Sequence, residues 1–407
     1  MQNSSKQWQK GKKLTPEAEE SLKDFPQPLR QILFNRGYAD QTSALSFLSA
    51  SPPENSNPEN MLGMKAAVSR LVPAISGGEL IAIYGDYDAD GVTATALLVQ
   101  LLSALEAHVV GYIPNRFDEG YGLNNEALDT LREKGVKLVV TVDCGVRSIE
   151  EALHARDLGL DLIITDHHHP GEQLPPALAV INPKQEGDPY PEKNLAGVGI
   201  AYKLGLALLN ELRRTGDQNA IAFDETLLLD LVAIGTVADL APLTAENRSL
   251  VRRGLKAIRQ PRRQGLQALI GVCGLLPRRI QATDIGFVLG PRLNAAGRLD
   301  SALASFDLLT TKRIKEAGYL AQQLDNQNRE RQKITRESQA IAEELALAED
   351  PDSMLLFAAD PEFNPGFVGL VASRLTEHYY RPAIVAHQGE THTRGSCRSI
   401  PEFHITQ

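Results

Sequence analysis

Between residues 79 and 169 the chain alternates short, continuous apolar runs with longer stretches of helical periodicity. ELIAIYG precedes VTATALLVQLLSALEA, HVVGYIP precedes NEALDTLREKG, KLVVTVD precedes SIEEALHARDLG, and DLIITDHHH closes the series. Such runs suit strands paired in parallel through helical crossovers, so the pattern predicts an α/β fold with an open, doubly wound, mostly parallel sheet. Residues 1–60 combine a short helical pattern, PLRQILFNRG, with SPPENSNPEN, whose composition reads as a linker. The first α/β domain is expected over 61–302, ending in helical stretches and a basic segment. Residues 303–350 carry few helix breakers and predict a long helical connector. A second, smaller and incomplete α/β domain is expected over 351–407, opening at SMLLFAAD.

A chain of 407 residues has room for two or three domains with sizeable cores. The N-terminal MQNSSKQWQKGKKL is basic but has no apolar h-region, and no apolar run reaches membrane-spanning length. The expectation is a soluble, cytoplasmic chain without membrane contact. Cys144, Cys273 and Cys397 lie far apart with no C-x-x-C spacing, which argues against a disulfide framework or a zinc knuckle. The net charge of -9 argues weakly against a polyanionic partner. Its distribution argues the other way: Arg248 to Arg336 holds 18 Lys and Arg against 6 Asp and Glu.

Asp86, Asp88 and Asp90 crowd three like charges into five residues at the end of the first apolar run. A solvated acidic turn is the plain reading; a cation is the other. D-x-D-x-D-G also opens a calcium loop of the EF-hand kind, but the twelfth position, Leu97, offers no carboxylate to close it. The rest of the chain favours a cation. Asp143 ends KLVVTVD, and Asp166, His167, His168 and His169 end DLIIT, while Asp239 follows a helical stretch. In parallel sheets ligands gather at the carboxyl ends of strands. Carboxylates with imidazoles and no thiolate suit two divalent cations, Mn2+ ahead of Mg2+, of the kind that serve phosphoester hydrolysis. Asp143 is the best placed to bridge them. Isolated His108, His154 and His378 read as ordinary surface or core residues.

GDYDADG, VDCG, TDHH and GTVADLAPL resemble, in order, the motifs of the DHH phosphoesterase superfamily. PNRFDEGYGL and GPRLNAAGRLDSA are similar to the RecJ-type single-strand DNA exonucleases within it. The resemblance covers about residues 60 to 400 and implies metal ligation by Asp86, Asp88, Asp90, Asp143, His167 and Asp239. It places His168 by the scissile phosphate, with Asp166 orienting the histidines, and gives His169 no role. Arg116, Arg292, Asn294 and Arg298, the last three read as a Gly/Ala-rich loop, are expected to hold the DNA strand. Ser396 and Arg398 of GSCRS, in a segment resembling the start of a DHHA1 domain, are expected to reach its terminal phosphate. The implied activity is hydrolysis of single-stranded DNA by a 5′→3′ exonuclease of repair and recombination. A single-strand-binding protein and a helicase are further partners, and the chain is expected to be a monomer.

Two departures stand out. Asn364 occupies a position where the family pattern leads us to expect a histidine, and the chain stops at Gln407, before a GGHxxA segment and an OB-type fold, so C-terminal truncation is expected. The rival readings are a DHH phosphodiesterase of short oligonucleotides or cyclic dinucleotides, and a non-catalytic DNA-binding relative.

Overall fold

The computed structural model describes residues 10–115, 120, 122–299, 301–348 and 350–406. Helices α1 (Pro16–Ser21), α2 (Gln27–Asn35) and α3 (Gln41–Ser49) close around Leu22, Leu33 and Ala44. SPPENSNPEN is more than a solvated tether. Ser56 O accepts from Lys203 Nζ (2.7 Å) and Tyr190 OH (3.1 Å), and the buried Lys203 pairs with the buried Glu246. A buried ammonium needs several acceptors, and the segment supplies one of them. Helix α4 (Met64–Ser76) then leads into the sheet.

The alternating runs form β1 (Ile81–Gly85), α5 (Ala89–Ala104), β2 (Val109–Tyr112), α6 (Asn125–Glu133), β3 (Leu138–Val142), α7 (Ile149–Asp157) and β4 (Asp161–Thr165). A short β5 (Ala179–Ile181), not anticipated from the pattern, adds an edge. The order is β2-β1-β3-β4-β5, parallel throughout. Alternate residues of β1, β3 and β4 enter separate cores on the two faces: Ile81, Ile83 and Val140 on one, Ala82, Tyr84 and Val139 on the other. That double burial is why these runs are continuously apolar. In register, Gly85 lies beside Val142 and Val142 beside Thr165. The chain therefore leaves three neighbouring strands at one level, where Asp86, Asp143 and Asp166 follow, and the switch in winding direction falls between β1 and β3.

Beyond the sheet come α8 (Gly197–Arg214), α9 (Gln218–Ala222), α10 (Leu229–Ala238), α11 (Ala245–Ile258) and α12 (Gln264–Val272). The single turn α13 (Ala282–Asp284) runs through a π-helical turn, Ile285–Leu289, into α14 (Gly290–Leu299). GPRLNAAGR is thus a helix and not a loop; its Ala, Leu and Arg are good helix formers, and its glycines allow close packing. After α15 (Leu303–Thr310), α16 (Ile314–Ala348) is one helix of 35 residues. It packs on α12, α14 and α15 early and on a second unit late. The connector is therefore α16, with α15 a separate helix before it. The second unit holds β6 (Leu356–Asp360), α17 (Val368–Tyr379), β7 (Ala383–Gln388) and β8 (Thr393–Arg398), with β6 and β7 parallel and β8 antiparallel to β7. Its core is small: Leu356, Phe363, Val371, Leu375 and Val385, completed by Ala342 and Ala346 of α16. Among the described residues no helix is long and apolar enough to cross a membrane.

Candidate metal centre and nucleic-acid surface

The acidic loop after β1 folds tightly because Gly91 lies against Asp86; a Cβ there would meet the Asp86 backbone at 2.6 Å. Asp88 is the N-cap of α5, its Oδ1 accepting from Asp90 N (2.8 Å) and Gly91 N (3.1 Å). Asp90 is buried and turns to a different helix: Oδ2 accepts from Gly197 N (2.7 Å) and Oδ1 from Val198 N (2.9 Å). Those are amides of the first turn of α8, whose N-cap, Ala196, has no side chain to serve them. Gly197 also lets α8 reach Asp143, since a Cβ on it would stand 2.6 Å from Asp143 Cβ. Gly235 of α10 is tight against Thr93 and Asp90 in the same way. Sequence reasoning missed Gly197, Val198 and Gly235. The available signal was a G-V-G helix start with no capping residue before it.

Asp143 has φ +63°, a left-handed conformation that costs a non-glycine residue about 1–3 kcal/mol and tends to mark functional sites. Three sets of ligand-type atoms each lie within 4.8 Å of one another: Asp86, Asp88 and Asp143; Asp90, His167 and Asp239; and Asp143, His167 and His168. The site brings together every metal ligand expected from the sequence. His167 Nε2 is 3.0 Å from Asp143 Oδ1 and 4.0 Å from Asp90 Oδ2, and Nδ1 is 3.8 Å from Asp239 Oδ2. The 3.0 Å contact is not a hydrogen bond: both atoms are buried and neither has a hydrogen-bond partner. Two buried donor atoms left in that state fit a shared cation. Asp166 organises the histidines. Its Oδ1 accepts from His167 N (2.7 Å), His168 N (3.0 Å) and the His168 ring at Nδ1 (2.8 Å), and its Oδ2 from Val146 N (2.9 Å). Among the described residues, His169 is met through its carbonyl, which accepts from Arg147 Nε at 2.8 Å.

Burial, then Asp239, pushes Asp90 well above the usual carboxylate range; burial, then Asp90, does the same to Asp143. Burial, then Asp88, pushes Asp239 up to about 6. Burial, then His168, lowers His167 to about 4, so it is a neutral imidazole, the form that ligates metal. His168 goes the opposite way, raised chiefly by its hydrogen bond to Asp166. Burial alone would raise Asp166, but hydrogen bonds led by His168 outweigh it and hold it low.

The residues expected to touch DNA divide into groups. Arg116 lies outside the described residues. Arg292 faces inward: Nε and Nη2 reach Asp325 Oδ1 of α16 at 2.9 and 2.8 Å, and Nη1 donates to Val288 O. Asn294 Oδ1 accepts from Ala89 N (2.7 Å), at the start of α5. Arg298 Nη1 donates to Gly366 O (3.0 Å), just before α17. Arg398 Nη1 donates to Ser396 Oγ (2.9 Å), and its Nε to Ser373 Oγ (3.1 Å). Gly369, in the first turn of α17, lies against Ser396 and Arg398; a Cβ there would sit 3.1 Å from Ser396 Oγ. Arg298, Ser396 and Arg398 therefore gather at one helix start. Asn364, the departure from the expected histidine, caps the turn before it through Gly366 N (2.8 Å).

The pattern of the DHH family, N-terminal domain, matches residues 80–236. The chain is 44% identical over 376 residues to the single-stranded-DNA-specific exonuclease RecJ of Bacillus subtilis, covering 92% of this chain and 46% of that protein. It is 40% identical to the Salmonella typhimurium protein of the same name, covering 94% of this chain and 67% of that one. A solved exonuclease RecJ bound to manganese superposes with a TM-score of 0.74 at 36% identity, covering 85% of this chain and 84% of the other. The chain belongs to the RecJ family. It spans about half to two thirds the length of these curated RecJ relatives. The RecJ resemblance drawn from six short motifs thus extends over nearly the whole chain.

Proposed function

We propose that this chain is a hydrolase that cleaves phosphodiester bonds of single-stranded DNA with divalent metal ions, as a 5′→3′ exonuclease of cytoplasmic DNA repair and recombination. The observation that carries this reading is the meeting of two ligand sets at the buried Asp143, whose Oδ1 and the His167 Nε2 lack hydrogen bonds. Asp86, Asp88 and Asp143 would hold one ion. Asp90, His167 and Asp239 would hold the other, with Asp143 shared. Carboxylate oxygens with one neutral imidazole suit Mn2+ ahead of Mg2+, and RecJ structures solved with manganese and with magnesium support a divalent-ion site. When bound, such a pair supplies Lewis acidity at the phosphate and a water of lowered pKa.

The chain's own groups do the rest. His168, whose hydrogen bond to Asp166 raises its pKa, would in its protonated form stabilise charge on the phosphoryl oxygens or give a proton to the leaving oxygen. Arg298, Ser396 and Arg398, converging at the start of α17, hold the 5′ phosphate end of the strand. Acting as a monomer on single strands, the chain would rely on a helicase to open duplexes and on a single-strand-binding protein to keep them open.

The test is digestion of single strands labelled at either end, with Mn2+, by the wild type and by Asp143→Asn. Early release of the 5′ label is expected, with a fall of about a thousandfold or more in the variant. Early release of the 3′ label overturns the polarity. Near-native turnover by the variant overturns the site, and faster hydrolysis of dinucleotides than of long strands favours an oligonucleotide phosphodiesterase.

A further inference from the structure

Asp88 is the least enclosed of the three aspartates in the acidic loop, and its backbone is gripped from both sides by α14, far along the chain. On one side, the Ala89 N–H donates to Asn294 Oδ1 at 2.7 Å. On the other, Gly297 presses on Tyr87, where a Cβ would stand 2.7 Å from the carbonyl oxygen. The two contacts fall on the residues immediately before and after Asp88. Asn294 also completes the capping of α5. Asp88 Oδ1 serves the amides of Asp90 and Gly91 but not that of Ala89, which is 1% exposed. A buried amide left without an acceptor is costly, and the nearest substitute would be the Asp88 carboxylate itself, drawn away from its place.

We propose that Asn294 is a positioning residue for the metal loop, fixing the Asp88 carboxylate through the Ala89 amide, and that it does not contact DNA. This role rests on the metal-site reading above. It also gives R-L-N-A-A-G-R a division of labour: Arg292 anchors the helix to Asp325, Asn294 and Gly297 brace the loop, and Arg298 faces the second unit.

The test is Mn2+ affinity, by calorimetry on the full chain, together with KM for single-stranded DNA at saturating Mn2+. Asn294→Leu, which keeps the bulk and loses the acceptor, is expected to weaken Mn2+ binding about 10- to 100-fold, the range for losing a group that orients a metal ligand. KM for DNA should stay within about twofold of wild type. Asn294→Asp, which keeps an acceptor oxygen in place, should restore affinity. Gly297→Ala, an independent disturbance of the same loop, should weaken Mn2+ binding in turn, and it carries the test if Asn294→Leu does not fold. Unchanged Mn2+ affinity with a raised KM in Asn294→Leu would overturn the proposal and make Asn294 a DNA contact. Failure of the wild type to bind Mn2+ at all would instead overturn the metal site, and the proposal with it.

Discussion

Gly197 has no functional group, yet any side chain there would press on Asp143. Its missing side chain lets the first turn of α8 come down on Asp143 and present two amides to Asp90. Gly197→Ala should keep the fold but shift α8 or the backbone at Asp143, because the added Cβ meets Asp143 Cβ, which no rotation of the carboxylate moves away. It should lower Mn2+-dependent turnover by about a hundredfold, since a displacement near 1 Å at a reacting centre costs that much. Near-native rates with a native circular dichroism spectrum would refute this. The aspartates and histidines of the centre were legible in the sequence because like charges at successive strand ends need a cation. Gly197 and Gly235 were not, because their roles are set by what approaches from distant helices. Asn294 reads as a phosphate contact beside two arginines, and its bond to Ala89, 205 residues away, leaves no local mark. The acids also predict a pH effect of unusual sign. Asp239 rises from its ordinary 3.8 to about 6, so the stability it contributes is complete below about 4 and is lost as pH rises through 6. The metal-free wild type should therefore gain thermal stability relative to Asp239→Asn between pH 7 and pH 5. Saturating Mn2+ should reverse the trend, because the ions need the ionised form. Scanning calorimetry of both proteins at both pH values decides, and a gap that ignores pH would count against the shift.

At the scale of elements, the strands β1 to β4 were readable because burial on both faces makes each one continuously apolar. β5 escaped because three residues, Ala179–Ile181, carry too little pattern to separate from the loop around them. The helix α14 reads from the sequence as a Gly/Ala-rich loop, whereas its glycines serve close packing against Tyr87 and Ala238. Its arginines were also read too uniformly. Asp325, buried in α16, is paired with Arg292 and with the exposed Arg329, so Arg292 is part of the helix contact. Removing it leaves a buried carboxylate with one solvent-exposed partner. Arg292→Ala should therefore destabilise the protein by about 2–4 kcal/mol, a little under the range for breaking a fully buried pair. Chemical denaturation measures this. A stability within about 0.5 kcal/mol of wild type, the usual scale of a surface change, would show that the pair carries little.

For the whole molecule, the basic stretch from Arg248 to Arg336 is less of a DNA-facing surface than its composition suggests. Arg248 and Arg252 donate to Phe47 O and Leu48 O, fastening the N-terminal helices to α11. Arg259 donates to Ile280 O, Arg263 pairs with Asp230, and Arg313 pairs with Glu316. Counting charge along a sequence cannot separate cations that tie a fold together from cations that face a ligand. The architecture has one further consequence, for assembly in time. Asp86, Asp143, His167 and Asp239 reach one another only after β1, β3 and β4 have paired, α8 has docked on the sheet and α10 has packed on α5 and α8. No short segment holds a usable set of ligands, so a cation cannot nucleate folding as it does in a metal-stapled miniprotein. Parallel pairing through long crossovers is slow to form. Loss of Mn2+ signal from solution during refolding would thus be a clock for the last step, recording when the native topology is complete.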